Sequence, residues 1–272
     1  MNKIGIRAHD IGKMSCESLA EKVQSLGFDG VQLVFNKALD TEVDFNDLNP
    51  IKKHFTNPMI MMLGAYFNPV HPDPNAVTQG VDYFKKHLDI AFSLNCKYVG
   101  TETGSLMGSP WGYVTENHEQ KALDDVIEVI KDLASVAEKK HSYIAIEGAY
   151  AHVAYSPKRI KEIIDQVASP NLKVTIDLFN YLHIGNYEKR MEILEESIDL
   201  LKDYIVIYHF KDFIVKDRQL IQVGLGQGLM DYPKIIKRIQ EVTPDAYFIF
   251  EGVTGVDIEK SLHYIKNIIE GK

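Results

Sequence analysis

Eight times along 272 residues, a short run rich in β-branched, aliphatic or aromatic residues is followed by a longer segment with helical spacing. The strand-like runs are 3–9, 31–35, 59–67, 98–103, 143–149, 173–179, 204–211 and 247–253. The segments with helical period are 16–26, 44–55, 76–94, 117–140, 157–168, 187–202, 232–242 and 257–269. Ser15 stands where a helix N-cap is needed, Ser156-Pro157 places proline at a first helical position, and Gly27 and Gly271 sit where helices should stop. No Pro- or Ser-rich linker and no low-complexity tract divides the chain, so residues 1–272 are expected to form one domain. Eight units of roughly 34 residues that end on a helix predict an α/β fold, a (β/α)8 TIM barrel. A doubly wound open sheet is the competing arrangement. It needs a reversal point and usually fewer units, and no GxGxxG follows the first strand.

The alternation of side chains across a strand shows which residues face the barrel axis. On the fifth run, Ile144, Ile146 and Gly148 form one set and Tyr143, Ala145 and Glu147 the other; the aliphatic set packs on helices, which turns Glu147 inward. The same test turns Thr175 and Asp177 inward on the sixth run, Ile207, His209 and Lys211 on the seventh, and Ile249 and Glu251 on the eighth. In each case the charged residue lies late in its strand, at the C-terminal mouth where this architecture builds active sites. Three carboxylates converging on one axis repel and take up protons unless a positive charge stands between them. A divalent cation held by Glu147, Asp177, His209 and Glu251 meets that need. Oxygen-rich coordination with a single histidine suits Mn2+, Mg2+ or Co2+ and leaves Zn2+ open.

With Ile146-Glu147-Gly148, Thr175-Ile176-Asp177, Tyr208-His209-Phe210-Lys211-Asp212, the loop Val223-Gly224-Leu225-Gly226-Gln227-Gly228 leading to Asp231-Tyr232, and Phe250-Glu251-Gly252 in this order, the chain resembles the xylose-isomerase-like barrel superfamily. These are the sugar phosphate isomerases and epimerases. The resemblance covers essentially the whole chain. It implies that Glu147, Asp177, His209 and Glu251 bind one metal and that Glu147 and Glu251 also move a proton, with Asp177 and His209 as ligands only. The activity implied is isomerisation or epimerisation of a small keto sugar or polyol derivative. A proton leaves the carbon beside a carbonyl, the metal stabilises the enediolate, and a second glutamate returns a proton. An inosose-type dehydratase uses the same metal and base, and a sugar-binding barrel without turnover is the reading from another class.

Two departures from the family pattern bear on the substrate. The epimerases commonly carry a substrate-contacting histidine three residues after the sixth-strand aspartate, where this chain has Asn180, and the nearest histidine is His183. Endonuclease IV, in the same superfamily, needs three zinc ions and further histidine and aspartate ligands. The loop Gly224-Leu225-Gly226-Gln227-Gly228 lacks the Asp/His pair expected of it, and the formal charge of −8 with no basic run argues against nucleic acid as a partner.

Around the four-residue cluster, the expected substrate contacts are Glu102, Asn180, His183, Lys211, His9 and Tyr66, with Trp111 on the rim. Two of these have equally simple structural readings: Lys211 as a rim lysine paired with Glu251 or Asp212, and Glu102 in an ion pair. Arg218 reads as a solvated surface residue. The glycines at 224, 226 and 228 read as a tight turn, since neither a Lys-Ser/Thr ending nor a dinucleotide-binding context accompanies them. Cys16 and Cys96 are too few for a disulfide framework and are expected to be buried bystanders. The longest apolar runs, 60–63 and 204–208, fall far short of the roughly 20 residues that span a bilayer, and the N-terminal run reads as a strand without a signal peptide's apolar core. A cytoplasmic enzyme with no membrane partner is therefore expected, and the resemblance allows a homo-oligomer.

Overall fold

The computed structural model describes residues 2–108 and 111–271. Among the described residues there are ten strands: β1 (Ile4–Arg7), β2 (Gly30–Leu33), β3 (Met59–Gly64), β4 (Tyr98–Glu102), β5 (Tyr143–Glu147), β6 (Leu172–Asp177), β7 (Ile205–Phe210), β8 (Asp212–Lys216), β9 (Gln219–Val223) and β10 (Tyr247–Phe250). Eight of them close a parallel barrel in the order β1-β10-β7-β6-β5-β4-β3-β2, and β8 and β9 pair as a separate antiparallel hairpin. The fold is thus the single (β/α)8 TIM barrel that the eightfold alternation predicts.

The alternation has its physical counterpart in two layers of packing. Ile144, Ile146, Val174, Ile176, Tyr208, Phe210, Phe248 and Phe250 face outward into the main core between strands and helices. Ala145, Ile207 and Ile249 face inward with Met61 and Met62 to fill the barrel floor. A Cβ at Gly5 would meet the Met61 sulfur and one at Gly100 the Met62 sulfur, so two residues without side chains make room for two flexible ones. The longest helix, Gln120–Lys140, buries Leu123, Val126, Ile127, Ile130, Leu133, Ala134 and Ala137 along one face. The expected caps are in place. Ser15 accepts from the Ser18 backbone N–H, Ser156 accepts from that of Arg159, and Gly27 ends its helix at φ +86°.

Three features differ from the sequence expectations. The helix expected over 44–55 is confined to Asn49–His54, because Asp44 and Asp47 accept backbone N–H bonds from Asn46 and Asn49 and hold that stretch in turns. Residues 212–223, which lie outside the expected strands and helices, form the β8–β9 hairpin, with Asp217 and Arg218 both at positive φ as a two-residue hairpin turn requires. Cys96 is buried as expected, but Cys16 is only partly so. Among the described residues no helix is long and apolar enough to cross a membrane.

Two register slips matter for the mouth of the barrel. Val31 lies opposite Ile60 but Gln32 lies opposite Met62, and Val174 lies opposite Ile205 but Thr175 opposite Ile207. The extra residue is Met61 on β3 in one case and Val206 on β7 in the other, and such a bulge re-aims the side chains that follow it, here Met62 and His209.

Candidate active site

Strand register brings the four inward ionisable groups together. Asp177 is paired with His209 across β6 and β7, Ile249 with His209 across β10 and β7, and Glu251 follows two residues on. One ligand atom from each of Glu147, Asp177, His209 and Glu251 lies within 4.8 Å of the others. His209 Nδ1 is 2.9 Å from Glu251 Oε2, 3.2 Å from Glu147 Oε2 and 4.0 Å from Asp177 Oδ2. Both nitrogens of this fully buried imidazole, and Asp177 Oδ2, nevertheless lack a partner with hydrogen-bond geometry.

Lys211 is buried against this cluster. Its ammonium is 2.8 Å from Asp177 Oδ2, 2.8 Å from Glu251 Oε1 and donates to Asn180 Oδ1 at 3.0 Å. Of the two partners expected for it on structural grounds it takes Glu251 and not Asp212, whose carboxylate instead accepts four backbone N–H bonds, from Phe213, Gly226, Gly228 and Met230. Those bonds make the glycine-rich segment a pinned turn. Asn180 donates from Nδ2 to Glu147 Oε1 at 2.7 Å, and its backbone N–H reaches Asp177 Oδ1 at 3.1 Å. Its amide therefore links Glu147 to Lys211.

The electrostatics follow from burial and from the neighbouring charges. Burial raises the Asp177 carboxyl to about 6 and is reinforced by Glu147 and Glu251, although Lys211 opposes it. Burial would also raise Glu251, but Lys211, His209 and Arg7 hold that carboxyl well below the usual range. For His209 burial disfavours the charged form, yet Glu147 and Glu251 push the imidazole up to about 10. The carboxylates thus demand positive charge at this point. Three carboxylates and one imidazole are a donor set for a divalent cation; ligands held about 2.1 Å from one ion stand roughly 3 to 4.2 Å apart, and the 2.9, 3.2 and 4.0 Å separations from His209 Nδ1 lie at or near that range.

Two cavities open beside the cluster. One, of about 310 Å3, is lined by Arg7, His9, Gln32, Tyr66, Glu102, Trp111 and Glu251 among others; the second, of about 390 Å3, by Glu102, Trp111, Tyr150, His152, Asn180 and others. Glu102 and Trp111 belong to both. The Glu102 carboxyl is pushed up to about 8, by burial first and then by Glu147 and Glu251. Its nearest basic group is His152 Nδ1 at 3.9 Å. His183 lines neither cavity; it stacks on Tyr150 with ring centroids 4.0 Å apart. Arg218 sits exposed at the hairpin tip.

The sequence reading missed Arg7, Asp10, Gln32 and His152. Arg7 donates from Nη1 to Glu251 Oε1 at 2.6 Å and makes two bonds to Asp10, which accepts the Gly252 N–H at 2.6 Å. The signal for two of them lay in the alternation of the first two strands. Ile4 and Ile6 pack outward and leave Arg7 inward; Val31 and Leu33 pack outward and leave Gln32 inward.

A closed parallel barrel with an ionisable cluster at its C-terminal mouth defines the class. The comparison with protein families makes it specific: the model described as xylose isomerase-like TIM barrel matches residues 20–268, and the chain belongs to that family. A probable L-ribulose-5-phosphate 3-epimerase, UlaE, of Mycoplasma pneumoniae is 24% identical over 175 residues, 64% of this chain and 52% of that protein. The chain thus spans about half the length of that relative. A D-tagatose 3-epimerase-like protein has the same fold with a TM-score of 0.78 at 18% identity, covering 98% of this chain and 97% of that one. So does a xylose isomerase-like TIM barrel protein from Mycobacterium smegmatis in complex with magnesium, with a TM-score of 0.75 at 15% identity, covering 99% and 96%.

Proposed function

We propose that the protein is a divalent-metal-dependent isomerase or epimerase of a small keto sugar or polyol derivative. The observation that carries this reading is the placement of two glutamates from different strands, Glu147 and Glu251, on the same imidazole at 3.2 and 2.9 Å. A site built only to bind sugar has no use for two such carboxylates beside one cluster.

Glu147, Asp177, His209 and Glu251 would hold the cation, with Mn2+, Mg2+ or Co2+ favoured by the oxygen-rich set and Zn2+ admissible. Bound there, it supplies Lewis-acid stabilisation of negative charge developing on a carbonyl oxygen. One of the two glutamates removes the proton from the carbon beside the carbonyl, and the other delivers a proton to that carbon or its neighbour. Asn180 fixes the direction of Glu147 through its 2.7 Å bond, and Arg7 does the same for Glu251 at 2.6 Å. Lys211 balances Asp177 and Glu251, keeping Glu251 ionised and able to accept a proton. Trp111 and Tyr150 line the second cavity, where a sugar ring or chain could rest against their faces.

The test is proton exchange. The Mn2+-loaded protein is incubated in D2O with D-psicose, D-tagatose, D-fructose and L-ribulose. Deuterium at the carbon next to the carbonyl without loss of water is expected. Loss of water with a new conjugated carbonyl would move the assignment to a dehydratase, and no exchange with any ketose under Mn2+, Mg2+ or Co2+ would refute it.

A further inference from the structure

Some of the residues lining the cavity beside Glu251 take no part in the proton transfer. Gln32 is fully buried there, one residue past the β2–β3 register slip. Its Nε2 donates to Tyr66 Oη at 2.6 Å, while its Oε1 has no hydrogen-bond partner. Exchanging the amide oxygen and nitrogen leaves the same deficit, because one polar atom of the amide then still lacks a partner. Tyr66 accepts from Gln32, so its own hydroxyl proton is free to donate. An unpaired buried amide is costly to the fold, and a ligand hydroxyl, donor and acceptor at once, would recover that cost. His9 in the same cavity also has an unpartnered Nδ1.

We propose that Gln32 and Tyr66 recognise a substrate hydroxyl in the cavity beside Glu251, and that the substrate is an uncharged sugar or polyol, not a phosphate ester. This deepens the proposed function and rests on it for the position of the reacting end.

The distribution of charge supports the neutral substrate. Arg7, one of the cations lining this cavity, already spends its guanidinium on Asp10 and Glu251. Lys211 has three acceptors of its own. With a dication in place, the carboxylates of Glu147, Asp177, Glu251 and Asp10 are balanced by that ion, Lys211 and Arg7, which leaves no excess positive charge for a phosphate. Lys37, the other cation lining the cavity, is exposed on the rim and solvated. Burial, followed by repulsion from Arg7, lowers His9 to about 4, so it too is uncharged at neutral pH. The neighbouring helix Phe35–Ala38 is a single turn and offers no anion site.

Alditols lack the carbonyl and cannot turn over, so they report recognition separately from reaction. Calorimetric titration of the Mn2+-loaded protein, freed of excess metal, with ribitol and with ribitol 5-phosphate tests the proposal. Ribitol is expected to bind at least as tightly as its phosphate, and Gln32→Leu to weaken ribitol about tenfold. Tyr66→Phe keeps the ring packing and is expected to weaken it similarly, which covers the case in which Gln32→Leu fails to fold. Ribitol 5-phosphate bound tenfold or more tightly than ribitol, ribitol binding unchanged in Tyr66→Phe, or no ribitol binding would each overturn the proposal. Absent deuterium exchange in ketoses alongside intact ribitol recognition would instead refute the reaction assignment alone.

Discussion

Arg7, the last residue of the first barrel strand, donates to Glu251, the first residue after the last strand, at 2.6 Å across 244 positions of sequence. The same guanidinium grips Asp10, which accepts the Gly252 N–H, so one arginine fixes both the backbone and the carboxylate at the closing seam. Removing one member of a partly buried ion pair strands the other. Arg7→Ala is expected to lower stability by about 1–3 kcal/mol, discounted for the arginine's partial exposure, and to slow proton exchange about tenfold or more. Arg7→Lys should recover most of the stability and less of the rate, because a lysine cannot serve Asp10 and Glu251 as a fork. Urea unfolding and exchange kinetics together check this; equal recovery of both would show the arginine to be structural only.

Glu147→Gln and Glu251→Gln keep shape and remove the base. Each is expected to cut deuterium incorporation by about 100-fold or more with a native circular dichroism spectrum. Wild-type exchange in either variant would remove that glutamate from the reaction.

A cation held by four side chains of the folded state binds the native form and not the unfolded one. Mn2+ at about 100 times its dissociation constant should therefore stabilise the protein by about 2.7 kcal/mol, read as a rise in melting temperature. His209→Ala should abolish the rise and the bound metal found by elemental analysis. A rise of the same size in that variant would place the ion elsewhere.

His87 is buried among Phe35, Phe45 and Tyr83, with Nδ1 on the Tyr83 carbonyl and Nε2 unpartnered. Burial lowers it from 6.5 to about 4. Between those values the unfolded chain binds the proton and the folded chain does not, so stability is full above pH 6.5 and falls as pH drops toward 4. His87 alone should cost about 2 kcal/mol between pH 7 and pH 5. His87→Leu should flatten that part of the pH profile of unfolding, whatever its effect at pH 7; an unchanged slope would contradict the assignment.

Gly228 packs so closely on Asp212 and the Phe213 backbone that a Cβ would collide with both. Gly228→Ala is expected to destabilise by about 1–3 kcal/mol and to lower melting temperature without changing metal content.

Much of this was legible in the sequence because strand period and helix period differ so sharply. Ile144 and Ile146 against Ala145 and Glu147, or Phe248 and Phe250 against Ile249 and Glu251, leave one orientation that buries the larger apolar set. The first half of the barrel was harder to read. Beside Arg7, Gln32 and Glu102 its inward residues include Gly5, Met61, Met62 and Gly100, which show no polar alternation, and a slip in register puts both methionines on the floor. Arg7 and Lys211 show a different difficulty. A basic residue at a strand end looks the same in sequence whether it is solvated or locked among carboxylates, and only the closed ring decides. The β8–β9 hairpin was obscured because its turn is Asp217-Arg218 and not a glycine pair, although Phe213, Val215 and Leu220 share one face of it.

The seam between β1 and β10 also has a meaning for biosynthesis. A nascent chain emerging from the ribosome has Glu147, Asp177 and His209 long before residues 247–251 are made. Until then, β1 has no partner on one edge, and Arg7 has no glutamate to hold. Ion capture and barrel closure are therefore expected to be a single late event, sparing the cell a half-built chain that sequesters metal.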